Sequence, residues 1–179
     1  MKNIFTKLLW LIRIVTIILA IICLKKDNHL IYVLFIISLT TWYHLEMRNF
    51  IGNYVGPRLK INQKNIWFRQ TKFEKKLDTK LKVKKWKKYI PSYNPNEFDI
   101  KHYSLTQIIT NMYRAEIDHE IMFILSYVPL VFSIFFDDFI IFLLTSFIVS
   151  LIDLALIVVQ RYNRNRLIKV SSKIANRKH

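Results

Sequence analysis

The sequence predicts an all-α integral membrane protein with about four transmembrane helices and a basic amphipathic interfacial segment between the second and the third. Two observations carry that fold class. Of the 179 residues 53% are hydrophobic, and they gather in long runs. The charges lie between the runs and total +16, from 28 Lys plus Arg against 12 Asp plus Glu. Soluble basic proteins that bind nucleic acid do not carry several uninterrupted apolar runs. The basic excess is therefore read as facing membrane lipid or phosphorylated substrates, with no nucleic acid partner. A single membrane domain over residues 1–179 is expected, with spans at about 4–24, 30–45, 121–136 and 139–159. The basic segment is 46–120 and the basic tail 160–179.

The first span, Ile4 to Leu24, is interrupted by Lys7 and Arg13. A retained span is expected rather than a cleaved signal peptide, because Lys25-Lys-Asp-Asn-His29 follows where a small-residue site would stand. Arg13 either snorkels or faces the bundle. Leu30 to Tyr43 is short for a crossing, and Trp42, Tyr43, His44 and Leu45 extend it with residues suited to the interface. His44 is a secondary catalytic candidate, against the plainer reading of an interfacial histidine.

Residues 46–120 hold 16 Lys plus Arg against 8 Asp plus Glu. Gly56-Pro57 marks a turn, and Asn65-Ile-Trp-Phe68 suits a headgroup-level anchor. Phe73, Leu77 and Leu81 repeat at four, which puts them on one face of a helix whose other faces carry Lys; such a helix lies well in an anionic interface. Pro91-Ser-Tyr-Asn-Pro95 reads as a loop. Ser104-Leu-Thr-Gln107 is a capping box flanked by Tyr103 and Ile108, so a helix begins near Leu105. Pro129 is expected to kink or open the third span. Asp137-Asp138 makes a tight acidic turn. Asp153 within the fourth span is either a functional site or the partner of Arg13 or of another helix's polar side chain. The tail carries 7 basic and no acidic residues. By charge bias the protein is a multi-pass cell-membrane protein with its basic segment and C-terminal tail cytoplasmic. Lys25 and Lys26 then fall on the opposite side, so a tilted or re-entrant first hairpin is the other topology.

With two glycines there is no phosphate-binding glycine loop. One cysteine, Cys23, excludes an internal disulfide. The five histidines are scattered, so no metal site is expected. The chemistry-bearing stretch is Tyr113-Arg-Ala-Glu-Ile-Asp-His119-Glu120. Glu116 and His119 are three apart and share a helix face, which is a workable general-base arrangement. The other reading is a juxtamembrane salt-bridge patch. The third and fourth spans form a hairpin, which brings residues 114–119 and 160–166 to one depth. An acid–base pair then lies beside three arginines, open to a lipid-like substrate and a phosphorylated donor.

Arg114-Ala-Glu-Ile-Asp-His119 before an apolar span, with the later Val158-Val-Gln-Arg-Tyr-Asn-Arg-Asn-Arg-Leu167, closely resembles the glycosyl-4,4'-diaponeurosporenoate acyltransferase family. Phe73-Glu74, Val83-Lys-Lys-Trp-Lys87 and Ile90-Pro91 are similar to it as well, while Ser92-Tyr93 stands where members carry Gly. The resemblance spans about Trp42 to Leu167. It implies a membrane enzyme that esterifies a sugar hydroxyl of a glycosylated carotenoid, or a related glycolipid, with a fatty acyl chain, the last step toward a staphyloxanthin-type pigment. On that footing His119 is the general base and Glu116 orients it. Arg114, Arg161 and Arg164 serve the oxyanion or the donor phosphates, and Tyr162 and Asn163 position the acceptor. No bound cofactor is expected, only an acyl donor such as acyl-CoA as co-substrate. Four helices are few to enclose a large lipid, which points to a homo-oligomer or a complex with pathway enzymes. The reading from another class is a non-catalytic scaffold or assembly factor that binds anionic lipid or a partner membrane protein.

Overall fold

The computed structural model describes residues 2–90, 98–136 and 138–177, and is helical with no strand among them. The loop expected at Pro91–Pro95 and the first residue of the Asp137-Asp138 turn lie outside the described residues. The helices are α1 Lys2–Lys25, α2 His29–Phe50, α3 Lys72–Lys80, α4 Val83–Trp86, α5 Leu105–Leu125, α6 Ser133–Phe136 and α7 Phe139–Asn176. Four helical stretches are long and apolar enough to cross a membrane: Ile4–Lys25, His29–Arg58, Leu105–Phe136 and Phe139–Asn176.

The chain gathers into two compact units, one of Met1–Tyr54 with Ile121–Asp153 and the other of Val55–Glu120 with Leu154–His179. In the first, α1 packs on α2. Asn28 caps α2, its side-chain oxygen accepting from the Leu30 and Ile31 N–H groups at 3.0 and 3.2 Å. Those amides begin the helix with no partner of their own, which is why Asn suits the position. The helix runs on past the apolar stretch, through a π turn at Ile51–Val55 and a 3-10 turn at Gly56–Arg58. The turn expected at Gly56-Pro57 is thus a tightening of the helix.

Four charged side chains of this unit form two pairs. Arg13 Nε donates to Glu46 Oε1 at 2.6 Å, and Trp42 Nε1 donates to the same oxygen at 2.9 Å. Arg48 Nη2 donates to Asp153 Oδ2 at 2.6 Å, and Asp153 has no exposed surface. Asp153 therefore serves another helix's cation, Arg48, and Arg13 finds its carboxylate on α2 instead. Both pairings follow from the cost of leaving a charge unpaired where water is absent. Replacing Asp153 by Ala strands the Arg48 guanidinium and should cost about 3 kcal/mol of stability. The check is the thermal midpoint of the detergent-solubilised protein. An Arg48→Leu, Asp153→Leu double variant should regain most of the loss, because the buried charge is then gone altogether. His44 is buried within the protein, at 3% exposure, and lies edge-on to the Tyr43 ring.

Pro129 acts as expected. It cannot donate to the Leu125 carbonyl four residues back. The Tyr43 hydroxyl donates to that carbonyl instead, at 2.9 Å, and the backbone tightens to a 3-10 turn over Val128–Phe132. A side chain of α2 thus takes the acceptor that the proline frees, as an apolar surrounding demands. Ser126, Ser146 and Ser150 are buried small residues of the same unit, and the Tyr127 and Ser150 hydroxyls share a hydrogen bond of 2.9 Å. Side chains this small let helices approach closely.

The α5 capping box forms as the sequence expects. The Ser104 N–H donates to Gln107 Oε1 at 2.9 Å, and the Gln107 N–H to Ser104 Oγ at 3.3 Å. A second box caps α3, between Thr71 and Glu74. The fourth helix differs from expectation in length. No Gly or Pro interrupts residues 139–176, so α7 carries the tail as helix for 38 residues. At 1.5 Å per residue it is about 57 Å long, well beyond a hydrocarbon core of about 30 Å.

Candidate functional site

The second unit is built on a small core of Phe68, Ile109 and Tyr113, with Ile61, Ile117 and Leu167 against it. The Phe68 and Tyr113 rings meet edge to face at 4.7 Å. The expected anchor Asn65–Phe68 divides here. Asn65 caps a 3-10 turn over Ile66–Phe68; Ile66 and Trp67 stay exposed while Phe68 enters the core. Gly56 lies against Asp118 of α5, and a Cβ at that position would meet both carboxylate oxygens at 2.5 Å. The close approach, not a positive φ, makes glycine fit there.

Above this core sits a charge network. Glu116 is fully buried on α5, and both of its oxygens are held by arginines of α7. Arg161 Nε donates to Glu116 Oε1 at 2.6 Å. Arg164 Nε donates to Oε2 at 2.8 Å and its Nη2 to Oε1 at 3.3 Å, the two-pronged geometry in which guanidinium and carboxylate match best. Arg161 further donates through Nη1 to Glu74 Oε1 at 2.7 Å, and through Nη2 to the Trp67 carbonyl at 3.2 Å. Glu120 lies 3.5 Å from Arg161 Nη2 and accepts from the Trp67 indole N–H at 3.0 Å. Two cations therefore face three carboxylates. Arg164 has no exposed surface; its Nη1 donates to the Phe68 carbonyl at 3.0 Å, and its guanidinium lies 4.4 Å from the Tyr113 ring centre. Aromatic faces attract such a cation and replace water around it.

The structure brings Arg114-to-Glu120 and Arg161-to-Arg166 together through Glu116. Within that arrangement the expected site residues take different places. His119 is half-buried on α5, one turn from Glu116. Glu116 turns its carboxylate to the two arginines. Arg164 is interior, and Arg161 keeps about one fifth of its side chain exposed. Arg114 is half-buried, and its Nε is buried with no hydrogen-bond partner among the described residues. Tyr162 and Asn163 face Lys87: Asn163 Oδ1 accepts from Lys87 Nζ at 2.5 Å, and that ammonium is 5.0 Å from the Tyr162 ring centre. No group of three or more His, Cys, Asp or Glu able to hold a metal exists among the described residues.

Sequence reasoning missed Glu74, Glu120 and Trp67 as network members and Lys87 as the neighbour of Asn163. The Thr71–Glu74 capping box was a legible signal for the first. Nothing in the spacing marks the others, because their partners are 41 to 94 residues away in the chain.

A helical, membrane-spanning protein with paired arginines clamping one buried carboxylate beside a histidine is the class these features define. No individual curated protein and no solved structure matches the chain significantly. The family model described as glycosyl-4,4'-diaponeurosporenoate acyltransferase matches residues 64–173, a stretch that holds both the α5 cluster and the α7 arginines, and the chain belongs to that family. It is accordingly an acyltransferase of a carotenoid-biosynthesis family.

Proposed function

We propose that this protein esterifies a sugar hydroxyl of a glycosylated carotenoid, glycosyl-4,4'-diaponeurosporenoate or a related glycolipid, with a fatty acyl chain. The observation that carries the reading is the Glu116 clamp: it joins the two family motifs and fixes the α5 turn that bears His119. His119 is the general base. It takes the proton from the sugar hydroxyl as that oxygen attacks the acyl carbonyl. The tetrahedral intermediate then collapses; the bond from carbonyl carbon to the donor's sulfur or oxygen breaks, and the imidazolium returns the proton to the leaving group. Arg114, with its unpartnered Nε, is the cation for the oxyanion; Arg161, its nitrogens engaged by Glu74, Glu116 and the Trp67 carbonyl, holds the clamp. Glu116 and Arg164 are positioning residues, Glu116 holding His119 through the helix backbone. Tyr162 and Asn163, beside Lys87, contact substrate on the donor's side and not the acceptor's. The donor is an acyl thioester such as acyl-CoA, and no resident cofactor takes part. The basic segment and the tail face the cytoplasm, where such a donor is found.

The test is lipid mass spectrometry of cells that make a glycosylated carotenoid, with and without this protein. A new species heavier by one fatty acyl group supports the reading. A shift in another glycolipid alone keeps acyl transfer and discards the carotenoid. No shift in any lipid, with the protein present in the membrane, favours the scaffold reading.

A further inference from the structure

Three cations of the second unit stand outside the carboxylate network. Lys84 is on α4, Lys87 follows it, and Arg166 is on α7, one turn beyond Tyr162. The local chain is firmly placed. Val83 is fully buried, and the Trp86 indole N–H donates to the Leu81 carbonyl at 2.9 Å. Lys82 takes a left-handed conformation, φ 52°, between α3 and α4. That strain is of order 1 kcal/mol for a residue with a side chain, so packing of the turn must hold it.

We propose that Lys87 and Arg166, both set against the Tyr162 ring and with Asn163 beside Lys87, bind the phosphate of the acyl donor. This rests on the acyltransferase reading above, and it places the donor's anion away from Arg161 and Arg164. Those two arginines are satisfied by Glu74, Glu116 and Glu120. In contrast, none of the three cations here is ion-paired with a carboxylate among the described residues. Lys87 Nζ meets only the neutral Asn163 amide oxygen and, with Arg166 at 5.9 Å, the Tyr162 ring. Burial, then Arg166 and then Lys84 push the Lys87 ammonium below its ordinary range, as expected of cations held together without a counter-charge. A phosphate ester removes that repulsion and gains charge-assisted hydrogen bonds. The chemistry is shared by a soluble nucleotide-type thioester and by an anionic phospholipid serving as donor.

The experiment compares wild type with Lys87→Gln, Arg166→Gln and the double variant. In neutral detergent, calorimetry with inorganic pyrophosphate should show binding that the double variant weakens at least about tenfold, since a hydrogen bond to a charged group is worth that much or more. In phosphatidylcholine vesicles the KM for acyl-CoA should rise by a similar factor in each single variant. The kcat and the acceptor KM should hold, and Lys87→Arg should restore binding. A merely structural role would not split KM from kcat. A KM rise confined to phosphatidylglycerol offered as donor assigns the site to a lipid headgroup. Unchanged pyrophosphate affinity and unchanged donor KM overturn the proposal. A wild type that binds pyrophosphate through these residues yet transfers no acyl group keeps the site and sinks the catalytic reading instead.

Discussion

Replacing His119 by Ala should lower acyl transfer at least about 100-fold, the lower end of what a positioned general base supplies. The protein should stay in the membrane, because the Glu116 clamp is made by Arg161 and Arg164 and not by His119. His119→Lys should be equally inactive. It keeps a cation, but an ammonium with an ordinary pKa is protonated at neutral pH and accepts no proton. The measurement is initial rate in reconstituted vesicles at saturating donor and acceptor. A kcat within a factor of three of wild type in either variant rules His119 out as the base. Activity retained in His119→Lys alone would instead support a charge-bearing interfacial patch.

Glu116→Ala should cost about 3–5 kcal/mol of stability, the usual result of removing one partner from a buried ion pair. The loss falls chiefly on Arg164. Among the described residues, Arg161 retains Glu74 and Glu120, whereas Arg164 loses its one carboxylate and keeps the Phe68 carbonyl and the aromatic faces. Activity falls with stability, because the clamp positions the α5 turn that carries His119. Glu116→Leu with Arg164→Leu separates the two effects. Removing both charges should recover much of the stability, as apolar replacement of a buried pair often does. It should not recover turnover, since the geometry of the clamp is still absent. Thermal midpoints and kcat on the same preparations decide it; a Glu116→Ala variant as stable as wild type contradicts the buried clamp.

Several features were legible because their causes are local. The apolar runs specify four long helices by length and composition alone. The Ser104–Gln107 box starts α5 because its two hydrogen bonds close within four residues. Pro129 breaks the same helix because its ring nitrogen carries no proton. Glu116 and His119 share a face by helical period, and the two motifs at 114–119 and 161–167 mark the family. Only the tertiary structure decided which charges meet. Asp153 has an arginine at 13 and one at 48 as candidate partners, and the packing of α2 selects 48. Glu116 could serve His119 by spacing, yet the arginines 45 and 48 residues on take its oxygens, because a carboxylate offsets much of the cost of burying a guanidinium. The same packing encloses Arg164 and leaves Lys84, Lys87 and Arg166 without a counter-charge among the described residues. Sequence spacing ranks local neighbours, whereas burial raises the energy of every unpaired charge and so lets distant partners win.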